Sequence, residues 1–332
     1  MRDVAIQRRS YGRAILDYLD ENRELVTIYG ILLVIFILSS IASPTFRTPR
    51  NVFNVLRQAV ALGLVSVGQT YAILSGGIDL SVGATISLVA VYTSGIMRGE
   101  TGLMVPVILL GLGVAIVIGL VNGLVITRLR VPPFITTLGV ASIIQGFVLL
   151  YAKAPIGKIA KEFRFFAEGY VGPIPFPVVF FALVAVVAWV ILRLTVLGRY
   201  IYATGGSEEI ARLSGIRTKM VITFTYVFCA FTAALSALFL TSRMGIGDPQ
   251  VGGLNFDRYD LDSIAAVLIG GTRLGGGRGG VAGTVAGVLI VAILNNILNL
   301  LDVQTFWQWI IKGLIILAAV AIYARGQLTK GR

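Results

Sequence analysis

The residues able to do chemistry in this sequence are few, and they sit at breaks in apolar runs. Histidine is absent and Cys229 is the only cysteine. An intrachain disulfide, a Cys/His zinc site, haem ligation by histidine and a histidine proton relay are therefore excluded. What remains is Asp79 in "LSGGIDLSVGAT" (74–85), and Asp260 and Asp262 in "YDLDSIAA" (259–266). General acid–base work needs two such groups facing one substrate. The topology derived below puts Asp79 on the opposite side of the membrane from the other two, so no catalytic residues and no metal site are expected. "GGTRLGGGRGG" (270–280) has the glycines to cradle a phosphate, yet no G-x-x-x-x-G-K-[ST] pattern occurs and no strand precedes it. It reads as a tight turn, and ATP chemistry, if the chain uses any, belongs to another polypeptide.

The elements that must position these residues are membrane helices. Of 332 residues, 56% are hydrophobic and 13% charged, and the mean hydropathy is +0.88. Soluble domains carry a much larger charged fraction. The expected fold is all-α and polytopic, with lipid as its solvent. Apolar runs that cross about 30 Å of hydrocarbon, or nearly so, can be laid out as ten. They lie near 25–43, 52–74, 82–97, 104–127, 133–152, 177–194, 219–242, 260–272, 280–299 and 304–323. Residues 1–24 interleave Arg2, Arg8, Arg9, Arg13 and Arg23 with Asp17, Asp20, Glu21 and Glu24, which is a cytoplasmic amphipathic segment and not a cleavable signal.

The net charge of +12 is spread singly between apolar runs, the pattern of a membrane protein and not of a nucleic-acid binder. With the N-terminus inside, 17 of the 28 Lys and Arg residues fall on the cytoplasmic side. Both termini are then cytoplasmic: residues 25–323 form one transmembrane domain, 195–219 a cytoplasmic loop and 324–332 a tail. Ten spans divide into two sets of five, and an odd number per set makes any repeat inverted. "DLSVGA" at Asp79 has a counterpart in "LDSIAA" at Leu261, which is the sequence support for a 5+5 repeat.

Each polar interruption has a structural and a functional reading. Gly76 and Gly77 can end one helix while Asp79 or Ser81 caps the next; the same residues, with Asp262 in the matching break, could contact substrate, gate it or meet a partner. Asn54, Gln58 and Gln69 share a face of span two, and Asn295 and Asn299 share a face of span nine. Such faces suit either a neutral hydroxyl-rich solute or interhelical hydrogen bonds. Gly119 and Gly123 in span four, and Gly279, Gly283 and Gly287 along span nine, allow close helix approach. Lys312 must find an acceptor or snorkel. In "LGRYIYATGGSEEIARLSGIRTKM" (197–220), Ser207 can cap a short helix with Glu208 and Glu209 in its first turn and Gly215 closing it, as a lever or as an ordinary solvated loop.

"SGGIDLSVGA", "GRYIYATGGSEEIARLSGI" and "YDLDSIAAVLIGGTRLGGGRGGVAGTVAGVLI" closely resemble the permease subunits of ribose-type sugar ABC importers, a family shared with branched-chain amino acid permeases. The similarity extends from about Ser43 to Lys312. It implies a homodimer in the bacterial inner membrane, a periplasmic sugar-binding protein on one face, and a separate subunit on the other that binds ATP and Mg. It also implies that Glu209, Ala211 and Gly215, with Ser207 and Glu208, form the coupling segment; Ile210 departs from the motif's second alanine. Ribose leads other pentoses and hexoses as cargo. A branched-chain amino acid permease, or a stand-alone secondary transporter or channel, is the alternative.

Overall fold

The computed structural model describes residues 23–253, 258–304, 306–311 and 313–314. The N-terminal segment up to residue 22, Lys312 and the tail lie outside the described residues. The chain is a helical bundle: α1 (Arg23–Ala42), α2 (Pro49–Leu74), α3 (Val82–Met97), α4 (Met104–Arg128), α5 (Pro133–Tyr151), α6 (Phe176–Leu194), α7 (Val196–Gly206), α8 (Glu208–Leu213), α9 (Thr218–Met244), α10 (Tyr259–Ile269) and α11 (Val281–Leu300). Seven described helices (α1, α2, α4, α5, α6, α9 and α11) are long and apolar enough to span a membrane. The protein is therefore an all-α, multi-pass membrane protein. Its described strands are one two-stranded hairpin, Tyr170–Val171 with Ile174–Pro175, which the sequence reading did not anticipate.

Helix starts follow local chemistry. Proline opens α2, α5 and α6, where its missing N–H costs nothing, and Thr48 caps α2 by accepting from the Asn51 N–H. Leucine, isoleucine and phenylalanine on α1, α4, α5 and α6 point outward, as lipid-facing side chains do.

Lipid tails are as apolar as leucine, so helices associate through close packing instead of hydrophobic exclusion. The centre is α9, which packs against α2, α3 and α4. Glycines let the neighbours in. A Cβ on Gly119 would lie 2.5 Å from the Val227 Cα, and one on Gly123 would lie 2.7 Å from the Thr223 Cα. On the other flank, a Cβ at Gly68 of α2 would be 2.7 Å from the Cys229 Cα, a contact the sequence reading missed.

The short eighth span near 260–272 is the eleven-residue α10, too short to cross alone, and one expectation about packing is corrected. Gly279 is not on the packing face of α11: it precedes that helix with φ of +121°, folded against Thr272, and only Gly283 and Gly287 carry the helix contact. Those two press on the Gly270 and Ala266 carbonyls of the same chain. Gly283→Leu should accordingly destabilise the isolated subunit, by about 1–3 kcal/mol, whereas Gly30→Leu, at a position open on α1, should not. Equal thermal midpoints for the two variants in detergent would refute this packing.

Candidate functional site

The bundle has two faces. Residues 75–77, 130–133 and 208–220 border one cleft of about 930 Å³, which defines a basal face. The Gly270–Gly280 loop joins that face through the Gly277 N–H, which donates to the Leu74 carbonyl at 3.0 Å. On the opposite, apical face, Gly99 donates to the Lys158 carbonyl and Ile156 bridges to Gly247. Thr101 Oγ1 there donates to Glu162 at 2.6 Å, which holds that carboxyl below its usual range.

At the end of α2, Gly76 takes φ of +91° and the chain turns back into the bundle. Gly77 does not use positive φ; it is required because any Cβ would strike the Tyr226 hydroxyl. Residues 78–81 then run as a non-helical strap beside α2, reaching the level of Gln69. With its amide oriented to match its partners, Gln69 donates to the Asp79 carbonyl and accepts from the Asp79 N–H, both at 3.2 Å. Gln69 lies five residues before the helix end, so Asp79 sits about 7.5 Å inside it. Thr137 Oγ1 of α5 accepts from the Leu80 N–H at 3.1 Å, and Tyr226 of α9 donates to the Ile78 carbonyl at 3.4 Å. Asp79 Oδ1 accepts from the Ser81 N–H and hydroxyl at 2.8 and 2.6 Å, while Asn122 of α4 donates to Ser81 Oγ at 2.8 Å. Asp79 and Ser81 are fully buried. Ser81 occupies the N-cap position of α3 without a side-chain cap bond, so the expected capping is replaced by an Asp79 turn.

A second non-helical segment, built of bends and turns, enters from the apical face. After Gly245, with φ of +79°, it descends along α3: Gly247 lies against Ala90 and Ser94, and the Gly252 N–H donates to Ser87 Oγ at 3.0 Å. Gly252 and Gly83 then touch backbone to backbone, and a Cβ on Gly83 would lie 3.9 Å from the Asp260 Cβ. The start of α10 is thus beside the start of α3. This corrects the expectation that Asp79 and Asp260 lie on opposite sides of the membrane: each precedes or opens a short helix that begins inside the bundle. Asp262 is half-buried in the first turn of α10, its N–H donating to the Arg258 carbonyl.

The predicted amide faces do not assemble into one lining. Gln69 is buried at the Asp79 turn, Gln58 is half-buried and Asn54 is exposed. Asn295 is half-buried, and the exposed Asn299 accepts from Gln308 at 2.9 Å. The amide that α11 buries is Asn296, which exchanges two hydrogen bonds with Asn51 of α2 at 2.9 and 3.1 Å. Thr70 and Thr284 pair at 2.7 Å lower on the same two helices. The "NN" doublet at 295–296 was the available signal, but only the helix rotation decides which amide faces inward.

On the basal face, Ser207 caps α8 by accepting from the Ile210 N–H at 3.3 Å, and Gly215 closes it at φ of +85°. Glu208 accepts from Thr218 at 3.1 Å, tying α8 to the start of α9. Glu209 reaches Arg212 at 3.9 Å, an exposed pair of little energetic weight. Ala211 is buried beneath, while Ile210 and Leu213 are 66% and 76% exposed. Two bare aliphatic side chains on a charged loop make a knob.

A multi-pass helical bundle with interrupted helices is the architecture of a membrane transport component. The chain belongs to the family of branched-chain amino acid transport system permease components, whose model matches residues 51–320. It is 41% identical over 294 residues to the ribose import permease protein RbsC of Bacillus subtilis (strain 168), covering 88% of this chain and 90% of that one. The Haemophilus influenzae ribose import permease is 37% identical over 91% of this chain and 93% of its own length. The Escherichia coli (strain K12) galactose/methyl galactoside import permease is 34% identical over 97% and 99%. No solved structure matches.

Thr137→Val would strand the Leu80 N–H inside the bundle, a loss of about 1–3 kcal/mol. Ser142→Ala, on the exposed side of α5, should be neutral. Matching thermal midpoints for the two variants would contradict the role given to Thr137.

Proposed function

We propose that this chain is the transmembrane subunit of an ATP-driven importer that passes ribose from a periplasmic binding protein to the cytoplasm. Two copies pair in the bacterial inner membrane, with the basal face and both termini cytoplasmic. A separate ATPase, holding ATP and Mg, docks on that face. The carrying observation is the Ser207-capped α8, which presents Ile210 and Leu213 beside the glutamate, alanine and glycine at 209, 211 and 215. Ribose is favoured because relatives named as ribose import permeases reach 41% identity, against 34% for the one named for allose and 34% and 35% for two named for galactose.

The ten-span, 5+5 reading is supported by the two short helices α3 and α10, each following a non-helical segment, one of which comes in from the basal face and the other from the apical face. In inverted-repeat transporters such discontinuous helices meet near the membrane centre. Gly76, Gly77, Asp79, Ser81 and Asp262 belong to these breaks and are the proposed hinge. Asn54 and Asn299, exposed on one subunit, are proposed to face the pathway that a second copy completes; Gln58 and Asn295 flank them.

Purification with its neighbouring gene products should retain an ATPase, and vesicles holding the complex with binding protein and ATP should accumulate labelled ribose over xylose or galactose. Accumulation without any ATPase would overturn the proposal in favour of a stand-alone carrier. Glu209→Lys and Gly215→Lys should leave the permease folded and reduce uptake per ATP hydrolysed by at least about tenfold, the equivalent of 1.4 kcal/mol of coupling. Wild-type uptake in both would count against the lever.

A further inference from the structure

We infer that a three-way junction of Gly205, Gly276 and the end of α2 transmits movement of α8 to both interrupted halves of the bundle. The inference rests on the docking role proposed for α8. Only Ser207 separates α7 from α8, so the short helix cannot shift without carrying the end of α7 with it. Gly205 lies in that last turn. A Cβ there would collide with the Leu74 carbonyl and lie 2.6 Å from the Gly277 N. Those two atoms are themselves hydrogen-bonded at 3.0 Å. The terminal carbonyls of a helix have no partner within it, and here the α2 terminus finds one on a loop about 200 residues away. The bond can form only because Gly205 leaves the space.

Gly276 closes the third side: with φ of +79°, its Cβ would fall 2.8 Å from the Gly205 carbonyl and 3.0 Å from the Gly76 N. Two side-chain bonds brace the junction. Tyr202 donates its hydroxyl to the Gly279 carbonyl at 2.8 Å, and Ser75 pairs with Thr225 of α9 at 2.9 Å. Displacement of α7 therefore bears in one direction on Gly76 and the Asp79 turn that leads into α3. In the other it bears on the 270–280 loop that joins α10 to α11. The two short helices, α3 with its Gly83 against Gly252 and α10 with its Asp260 near the same Gly83, are thus driven from one point. Rigid backbone-to-backbone contact carries such a push without the slack of a long side chain.

The test compares Gly205→Ala with Gly206→Ala, whose added methyl meets open space, and with Tyr202→Phe. Each is assembled in vesicles as the full complex with its ATPase and binding protein, and ribose moved per ATP hydrolysed is read alongside ATPase retention. The expected result is retention in all three, a ratio at least tenfold lower in Gly205→Ala, several-fold lower in Tyr202→Phe, and unchanged in Gly206→Ala. A merely structural role would lower yield and leave the ratio of surviving complexes intact, which would overturn the inference. If Gly205→Ala fails to assemble, Tyr202→Phe decides: an unchanged ratio overturns the inference and a reduced one supports it. Loss of ATPase retention by the wild type would instead overturn the importer reading and this one with it. Retention with unchanged ratios overturns the junction alone.

Discussion

A peptide group inside a bilayer has no water to turn to, so every extended stretch must be satisfied by protein. Residues 78–80 meet that demand with side chains from three helices, Gln69 from α2, Thr137 from α5 and Tyr226 from α9, while Asn122 from α4 holds the Ser81 hydroxyl. The rest of the architecture depends on this strap. It lets α2 end near the basal face while α3 begins well inside, and it fixes the rotation of the four helices that supply the bonds. Asp79 belongs to it as a turn-former, with the Cys229 thiol and the Asn122 amide around its carboxyl.

Close packing then does what hydrophobic exclusion does in water. Gly68, Gly119 and Gly123 clamp α9 from two sides, and Gly283 and Gly287 seat α11 on α10. These contacts are backbone to backbone, so the bundle moves as stiff units joined at glycine-rich turns. The same economy of side-chain volume that holds helices together at 119 and 123 permits the junction at Gly205. Alternating access needs stiff units and few hinges.

Much of this was legible in the sequence because membrane spans announce themselves by composition and length. The capped α8, with Ser207 before two glutamates and Gly215 after, was readable since caps are local chemistry. Gly119 and Gly123 were readable because their four-residue spacing fixes a face. What the sequence hid is rotation and depth. It could not say that Asn296, and not Asn295, turns toward Asn51, nor that Gly279 lies before α11 instead of on it. Nor could hydropathy show that 245–253 dips into the bundle: a Gly-rich stretch between spans reads as an external turn until Ser87 is seen to hold Gly252. That misplacement put Asp260 on the wrong side.

Hydrogen exchange at the amides of Asp79 and Leu80, measured in vesicles by mass spectrometry on peptides covering 74–82, tests the account most directly. Sealed by Gln69 and Thr137, these amides should exchange as slowly as those of the interior of α2. Exchange at the rate of the exposed 153–158 loop would mean that the turn lies open to water, and the account of the bundle built around it would fail.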